Sequence, residues 1–277
     1  MRIRVVLSAL VAAALVGTAL TGPAHAGTSL RGANDWACVP KAAHPRPVIL
    51  VHGTFATMAV TWPALSPALR RAGYCVFALD YGAAPGALLQ GTGDIARSAG
   101  QLAAFVDRVL TATGAAKVDI VGHSQGGMMP RHYLRFLGGA AKVRKLVGLA
   151  PSNHGTTLGG LVALGDLLGV TGPVSAACPA CGQQLAGSRF LAALNAGGED
   201  VPGVAQTVIA TRYDEVITPY SSSFLAGAGV RNVLVQRVCP LDFSAHLGLL
   251  LDPVVQRLVM DELDAPRGAV NCLNPLG

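Results

Sequence analysis

The sequence predicts an α/β protein: one mostly parallel central sheet, helices on both faces, and a cap-like insertion between late strands. Three observations carry that expectation. Short apolar runs alternate with helical stretches along the chain, as a layered α/β sheet requires. The spacers are long enough to cross a sheet face, so successive strands should run parallel with right-handed connections. Finally, Gly122-His123-Ser124-Gln125-Gly126 follows the apolar residues Val118, Ile120 and Val121 and opens a helix-like segment, which marks a sharp strand-to-helix junction.

Taken from the N-terminus, Met1-Arg2-Ile3-Arg4 is a short basic stretch and Val5 to Val16 an apolar run too short to span a membrane comfortably. Ala24-His25-Ala26 then supplies a small-x-small cleavage signal, so residues 1–26 read as a signal peptide rather than an uncleaved anchor. The mature chain would begin near Gly27 and form a single domain over 27–277. No later run of about 18 uninterrupted apolar residues suggests a spanning helix. Strand candidates are Val48 to Val51, Cys75 to Leu79, Val118 to Val121, Val143 to Ala150, Thr207 to Thr211 and Val230 to Val238. Helical candidates are Pro63 to Ala72, Ile95 to Thr113, Gly126 to Phe136 and Pro253 to Leu263. Pro130 lacks an N–H and should distort its helix about a turn after Ser124. The stretch 151–202 is too long for an ordinary crossover and mixes glycine-rich loops with apolar segments such as Leu161 to Leu168 and Phe190 to Leu194. It reads as a cap over the sheet edge, either mobile or fixed.

Composition narrows the function. Loss of the leader removes two of the 21 basic residues and none of the 15 acids, which takes the formal charge from +6 to +4. A mild excess with no Lys/Arg block makes no case for nucleic acid. Charged residues are only 13% of the chain and hydrophobic ones 51%, so part of the surface should be apolar. About 251 mature residues suffice for a large core in one domain. All six cysteines lie beyond the leader, and an even count in an exported chain favours disulfides. Their order suggests Cys38 with Cys75, Cys178 with Cys181, and Cys239 with Cys272. Cys178-Pro-Ala-Cys181 alone also fits a redox pair or half a zinc site, but no second C-x-x-C and no nearby His or Cys set completes a ligand group.

The pentapeptide carries the chemistry. Glycines two residues either side of Ser124 permit a strained strand-to-helix turn that leaves a hydroxyl exposed. Among 34 glycines such a match also arises as a plain turn, so its partners decide. A hydroxyl needs a base, an acid to orient that base, and donors for a developing oxyanion. On sheets with this elbow the acid and then the base follow the nucleophile along the chain. His246 is the histidine beyond the acid-bearing segments. Asp214 is the chosen acid, because Thr207-Val208-Ile209-Ala210 reads as a buried strand and Arg212-Tyr213-Asp214-Glu215 as the loop at its carboxyl end. Glu215 is the neighbouring alternative, and Asp242 a weaker one only four residues from His246. Upstream, the apolar run Pro47 to Val51 ends in His52-Gly53-Thr54-Phe55. The expected oxyanion donors are the N–H groups of Gln125 and Thr54, with Phe55 the alternative in the loop. His52 reads as a brace for that loop, and His123 as a pocket or structural residue. Ser152 to Thr156, after the next strand, should line the pocket.

Together, Val51-His-Gly-Thr-Phe55, Gly122-His-Ser-Gln-Gly-Gly-Met128, Tyr213-Asp-Glu-Val216 with Pro219, and Ser244-Ala-His246 resemble the secreted bacterial lipases of the α/β-hydrolase superfamily, the class-2 triacylglycerol lipases above all. The resemblance covers nearly all the chain after the leader. It implies hydrolysis of fatty-acid esters, no organic cofactor, and Ser124, Asp214 and His246 as a triad. It also implies a lipid or ester substrate met at a lipid–water interface, a secreted location and a monomer. Esterase, polyester hydrolase and acyltransferase remain alternatives on the same residues.

Overall fold

The computed structural model describes residues 30–167, 178–264 and 267–276. The leader, the cleavage point near Gly27 and the middle of the expected cap lie outside the described residues. In chain order the elements are β1 (Val48–Val51), α1 (Met58–Thr61), α2 (Leu65–Arg71), β2 (Val76–Leu79), α3 (Ile95–Thr113), β3 (Val118–His123), α4 (Gln125–Phe136) and β4 (Val143–Leu149). They continue with α5 (Leu158–Leu167), α6 (Pro179–Gln183), α7 (Arg189–Asn195), β5 (Ala205–Ala210), β6 (Val230–Leu234), α8 (Val235–Val238) and α9 (Pro253–Leu263).

Six strands form one sheet in the order β2-β1-β3-β4-β5-β6, every adjacent pair parallel. Side chains of a strand alternate between faces, and here both faces are apolar. Ile49 and Val51 of β1, with Phe77 and Leu79 of β2, enter one buried cluster with Ile95, Leu102 and Val106 of α3 and Met129 and Tyr133 of α4. Val48, Leu50, Val76 and Ala78 enter the opposite cluster with Leu65 and Leu69 of α2 and Val255 and Val259 of α9. The unbroken apolar runs of the sequence are therefore strands with helices over each side.

Helix ends follow local chemistry. Asp94 caps α3, its carboxylate accepting the Arg97 N–H at 2.9 Å, and Gly114 closes it in the left-handed conformation at φ 66°. Asp252 caps α9 by accepting the Val254 N–H at 2.7 Å, with Pro253 in the first turn.

One expectation requires correction. The run Val230 to Val238 is strand only to Leu234; the β5 ladder ends where Ala210 meets Leu234, and without a partner Val235–Val238 turns into a helical segment. Pro130 lies inside α4, which continues from Gln125 to Phe136. The short helix α1, between the early strand and the expected helix Pro63 to Ala72, had no periodic signal of its own. The disulfides Cys38–Cys75, Cys178–Cys181 and Cys239–Cys272 join the cysteines in their order of occurrence. Among the described residues no helix is long and apolar enough to cross a membrane, and no cluster of His, Cys, Asp or Glu is arranged to hold a metal.

Candidate active site

Parallel register brings the carboxyl ends of the central strands together: Val51 of β1 lies beside Gly122 of β3, and His123 beside Leu149 of β4. The loops leaving those ends meet along one edge. Ser124 stands at the junction of β3 and α4 with φ 55° and ψ −125°, a strained conformation for a residue with a side chain. Close packing explains the flanking glycines. A Cβ on Gly122 would lie 1.8 Å from the Gly126 carbonyl oxygen, and one on Gly126 would lie 2.2 Å from that of Val51.

Asp214 and His246 arrive from separate loops and form a buried pair, Nδ1 to Oδ2 at 3.0 Å, with neither side chain exposed. The other oxygen of Asp214 accepts the N–H groups of Val216 at 3.0 Å and Ile217 at 2.7 Å, which orients the carboxylate. A carboxylate only accepts, so Nδ1 of His246 carries the proton and Nε2 presents a lone pair. Nε2 is buried and has no hydrogen-bond partner among the described residues. The hydroxyl of Ser124 likewise makes no hydrogen bond there, so the serine–imidazole bond is not formed in this structure; such bonds are commonly long before substrate binds. The His246 loop is held to the end of β3 through His123, whose Nε2–H donates to the His246 carbonyl at 3.0 Å, the two rings lying 4.6 Å apart.

The rival acids have other work. Glu215 accepts the backbone N–H of His246 at 3.1 Å and so holds its loop. Asp242 accepts the Ser244 N–H at 2.8 Å, while the Ser244 hydroxyl donates to Asp252 at 2.6 Å. Burial and the adjacent Asp242 raise the Asp252 carboxyl above its ordinary pKa.

His52 is a brace. Its Nδ1–H donates to the Gly53 carbonyl at 2.8 Å, its Nε2 accepts the Tyr81 N–H at 3.4 Å, and the Tyr81 hydroxyl donates to the His52 carbonyl at 2.7 Å. Burial lowers its pKa to about 4 against the smaller raising effects of Gly53 and Asp80. Burial and the nearby His246 push His123 well below the ordinary imidazole range. Both rings are neutral near pH 7.

Gly53, Thr54, His123 and Ser124 line a cavity of about 200 Å³ whose remaining walls include Val60, Leu164, Leu247, Leu250 and Leu251. Leu164 comes from α5 within 151–202, so that stretch reaches the site. Neither the Thr54 nor the Gln125 backbone N–H donates to a protein acceptor among the described residues. Phe55 takes φ 62°, which turns the chain immediately after Thr54. Sequence reasoning missed Gln184 and Tyr81. The Gln184 amide reaches the Thr54 hydroxyl at 2.8 Å and accepts from Ser152 at 2.9 Å. Neither residue belongs to a motif, and only the folded chain brings them here.

The parallel six-stranded sheet, with a serine on a strained turn at its carboxyl edge, defines an α/β-hydrolase fold. Solved structures agree at the level of fold: Aspergillus fumigatus lipase B superimposes with a TM-score of 0.63 and 21% identity over 91% of this chain and 64% of that one. The mature form of a Bacillus licheniformis lipase gives 0.61 and 16% over 86% and 96%. Residues 45–256 match the lipase (class 2) family, and the chain belongs to it. A triacylglycerol lipase of Pseudarthrobacter phenanthrenivorans is 40% identical over 96 residues, 33% of this chain and 28% of that protein. Lipase B of Pseudozyma antarctica is 32% identical over 146 residues, 50% of this chain and 40% of that one. The matched segments thus span less than half the length of these curated relatives.

Proposed function

We propose that this chain is a secreted serine hydrolase that cleaves fatty-acid esters, as a triacylglycerol lipase, through an acyl-enzyme on Ser124. The observation that carries the reading is the buried Asp214–His246 pair with an Nε2 that has no partner among the described residues, tied through His123 to the β3–α4 junction that holds Ser124. Nε2 takes the Ser124 proton as the hydroxyl attacks the ester carbonyl, and Asp214 stabilises the imidazolium that forms. The N–H groups of Thr54 and Gln125 receive the oxyanion. His246 then passes its proton to the departing alcohol. Water repeats the sequence and frees the fatty acid.

Apolar cavity walls suit an acyl chain, and Val60 and Leu251, 62% and 61% exposed, lie at its edge and suit contact with a lipid–water interface. Residues 151–202 act as the cap of a single domain over 27–277. Three disulfides and the leader sequence at 1–26 support export. Cavity volume favours a second reading. About 200 Å³ is below the roughly 300–1,000 Å³ of ordinary ligand sites, which suits an esterase working on short acyl chains.

Hydrolysis of a graded series of acyl esters, above and below their solubility limits, separates the two. A lipase shows long-chain turnover that rises when substrate forms an emulsion; an esterase saturates on soluble short chains. Ser124→Ala should remove nearly all hydrolysis with the fold intact, and a variant that still turns over would overturn the assignment.

A further inference from the structure

We propose that Gln236 and Thr211 are positioning residues for the ester hydrolysis proposed above: together they bolt the loop that carries Asp214 to the loop that carries His246, and so set the geometry of the acid–base pair. This role rests on that functional reading and belongs to two residues that do not line the cavity.

Asp214 and His246 lie 32 positions apart on different loops, so their contact is only as fixed as the distance between those loops. Thr211 is the first residue beyond β5 and is fully buried. Its hydroxyl donates to the Ser244 carbonyl at 2.6 Å, two residues before the base, and accepts the Tyr213 N–H at 3.2 Å, next to the acid. One oxygen thus touches the backbone of both loops. Gln236 supplies a second span. Its Oε1 accepts the Arg212 N–H at 3.0 Å, while its Nε2 donates to Thr211 Oγ1 at 2.9 Å and to the Asp242 carbonyl at 3.1 Å.

The backbone dictates every direction in this network. An N–H only donates and a carbonyl only accepts, so Oε1 must face Arg212 and Nε2 must face Asp242. The amide then donates to Thr211, which leaves the single hydroxyl hydrogen for Ser244. Three hydrogens therefore meet three acceptors, in a place where Gln236 is only 3% exposed. A buried polar network satisfied in this way is rigid, and removing one member leaves its partners unpaired.

Gln236 belongs to α8, the segment that turns helical once β6 has ended at Leu234. That turn brings its amide back between the two loops. Ser244 is also held by Asp242 at its N–H and by Asp252 at its hydroxyl, so loss of the Thr211 bond loosens the base loop without releasing it.

The test follows kcat and KM on a soluble short-chain ester, and the low-field proton resonance of the His246 Nδ1–H, in wild type, Gln236→Met, Thr211→Val, Thr211→Ser and the Thr211→Val/Gln236→Met double variant, with thermal unfolding recorded alongside. Asp214→Asn identifies the resonance, because it removes the carboxylate acceptor. Methionine and valine keep the volume of the residues they replace and remove the polar groups. Gln236→Met and Thr211→Val should each lower kcat about 10-fold with KM within about twofold, less than the roughly 10²-fold that a misplacement of about 1 Å costs. In both, the resonance should move upfield and broaden as the Nδ1–Oδ2 contact loosens. Thr211→Ser retains the hydroxyl and should keep kcat within about twofold of wild type, with the resonance in place. The double variant should lose little more than either single one, since both act through one set of bonds. Wild-type kcat and resonance in Gln236→Met and Thr211→Val, equal losses in Thr211→Ser and Thr211→Val, or a raised KM at constant kcat would each overturn the inference. If Gln236→Met does not fold, the Thr211→Val and Thr211→Ser pair decides alone. Ser124→Ala separates the two claims: if it retains turnover the functional reading falls while the resonance still tests the link between the loops, whereas its inactivity beside unaffected Gln236 and Thr211 variants sinks only that link.

Discussion

His52 predicts a specific acid weakness. Its imidazole is fully buried beneath the loop that carries Thr54, and burial holds its pKa at about 4. In the unfolded chain the same ring titrates near 6.5. The folded pKa is the lower one, so the unfolded state binds its proton first as pH falls. The contribution of His52 to stability is complete above about pH 6.5, is lost progressively between about 6.5 and 4, and changes no further below that. A gap of about 2.5 units corresponds to roughly 3 kcal/mol. His123, lowered by burial and by His246, adds a loss of the same sign. The assay is urea unfolding at several values between about pH 7.5 and 4, on wild type and His52→Gln. Glutamine does not titrate, so the stability difference between the two proteins should narrow by about 3 kcal/mol across that interval. Parallel stability curves would refute the reasoning, because His52 would then carry the same charge in both states.

Other outcomes follow from the geometry. Gly126→Ala places a Cβ 2.2 Å from the Val51 carbonyl oxygen and 2.3 Å from that of His52, so the β1 end must shift; the expected loss is about 3 kcal/mol or more, read by chemical unfolding. Asp214→Asn should lower kcat about 10⁴-fold by favouring the wrong imidazole tautomer, whereas Asp242→Asn should change it far less, and steady-state kinetics on one soluble ester separate the two acids. Replacing Cys38 and Cys75 by serine opens a bridge across 37 positions and should cost about 4 kcal/mol of stability under the loop-entropy relation, measured by urea unfolding under non-reducing conditions.

Much of the architecture was legible before folding because its signals are local. Val48–Val51 is apolar on both faces, which only a doubly covered strand tolerates. α3 and α9 coincide with their expected bounds, each set by an acidic cap and a periodic apolar face. Where a boundary depended on a neighbour, local reading failed: Val235 to Val238 has strand composition, yet it coils because β5 offers no partner beyond Ala210.

By itself the sequence determined the layered α/β fold, the glycines that let Ser124 sit on a strained turn, and the side chains able to act as nucleophile, acid and base. Those properties belong to short stretches of chain and to residue chemistry. Only the tertiary structure decided that Asp214, not Glu215 or Asp242, lies against the His246 ring, and that Gln125 and Gln184 converge on one hydroxyl. The physical reason is that a hydrogen bond between residues 130 positions apart leaves no trace in spacing or composition; it exists only after the sheet has brought its loops to a common edge.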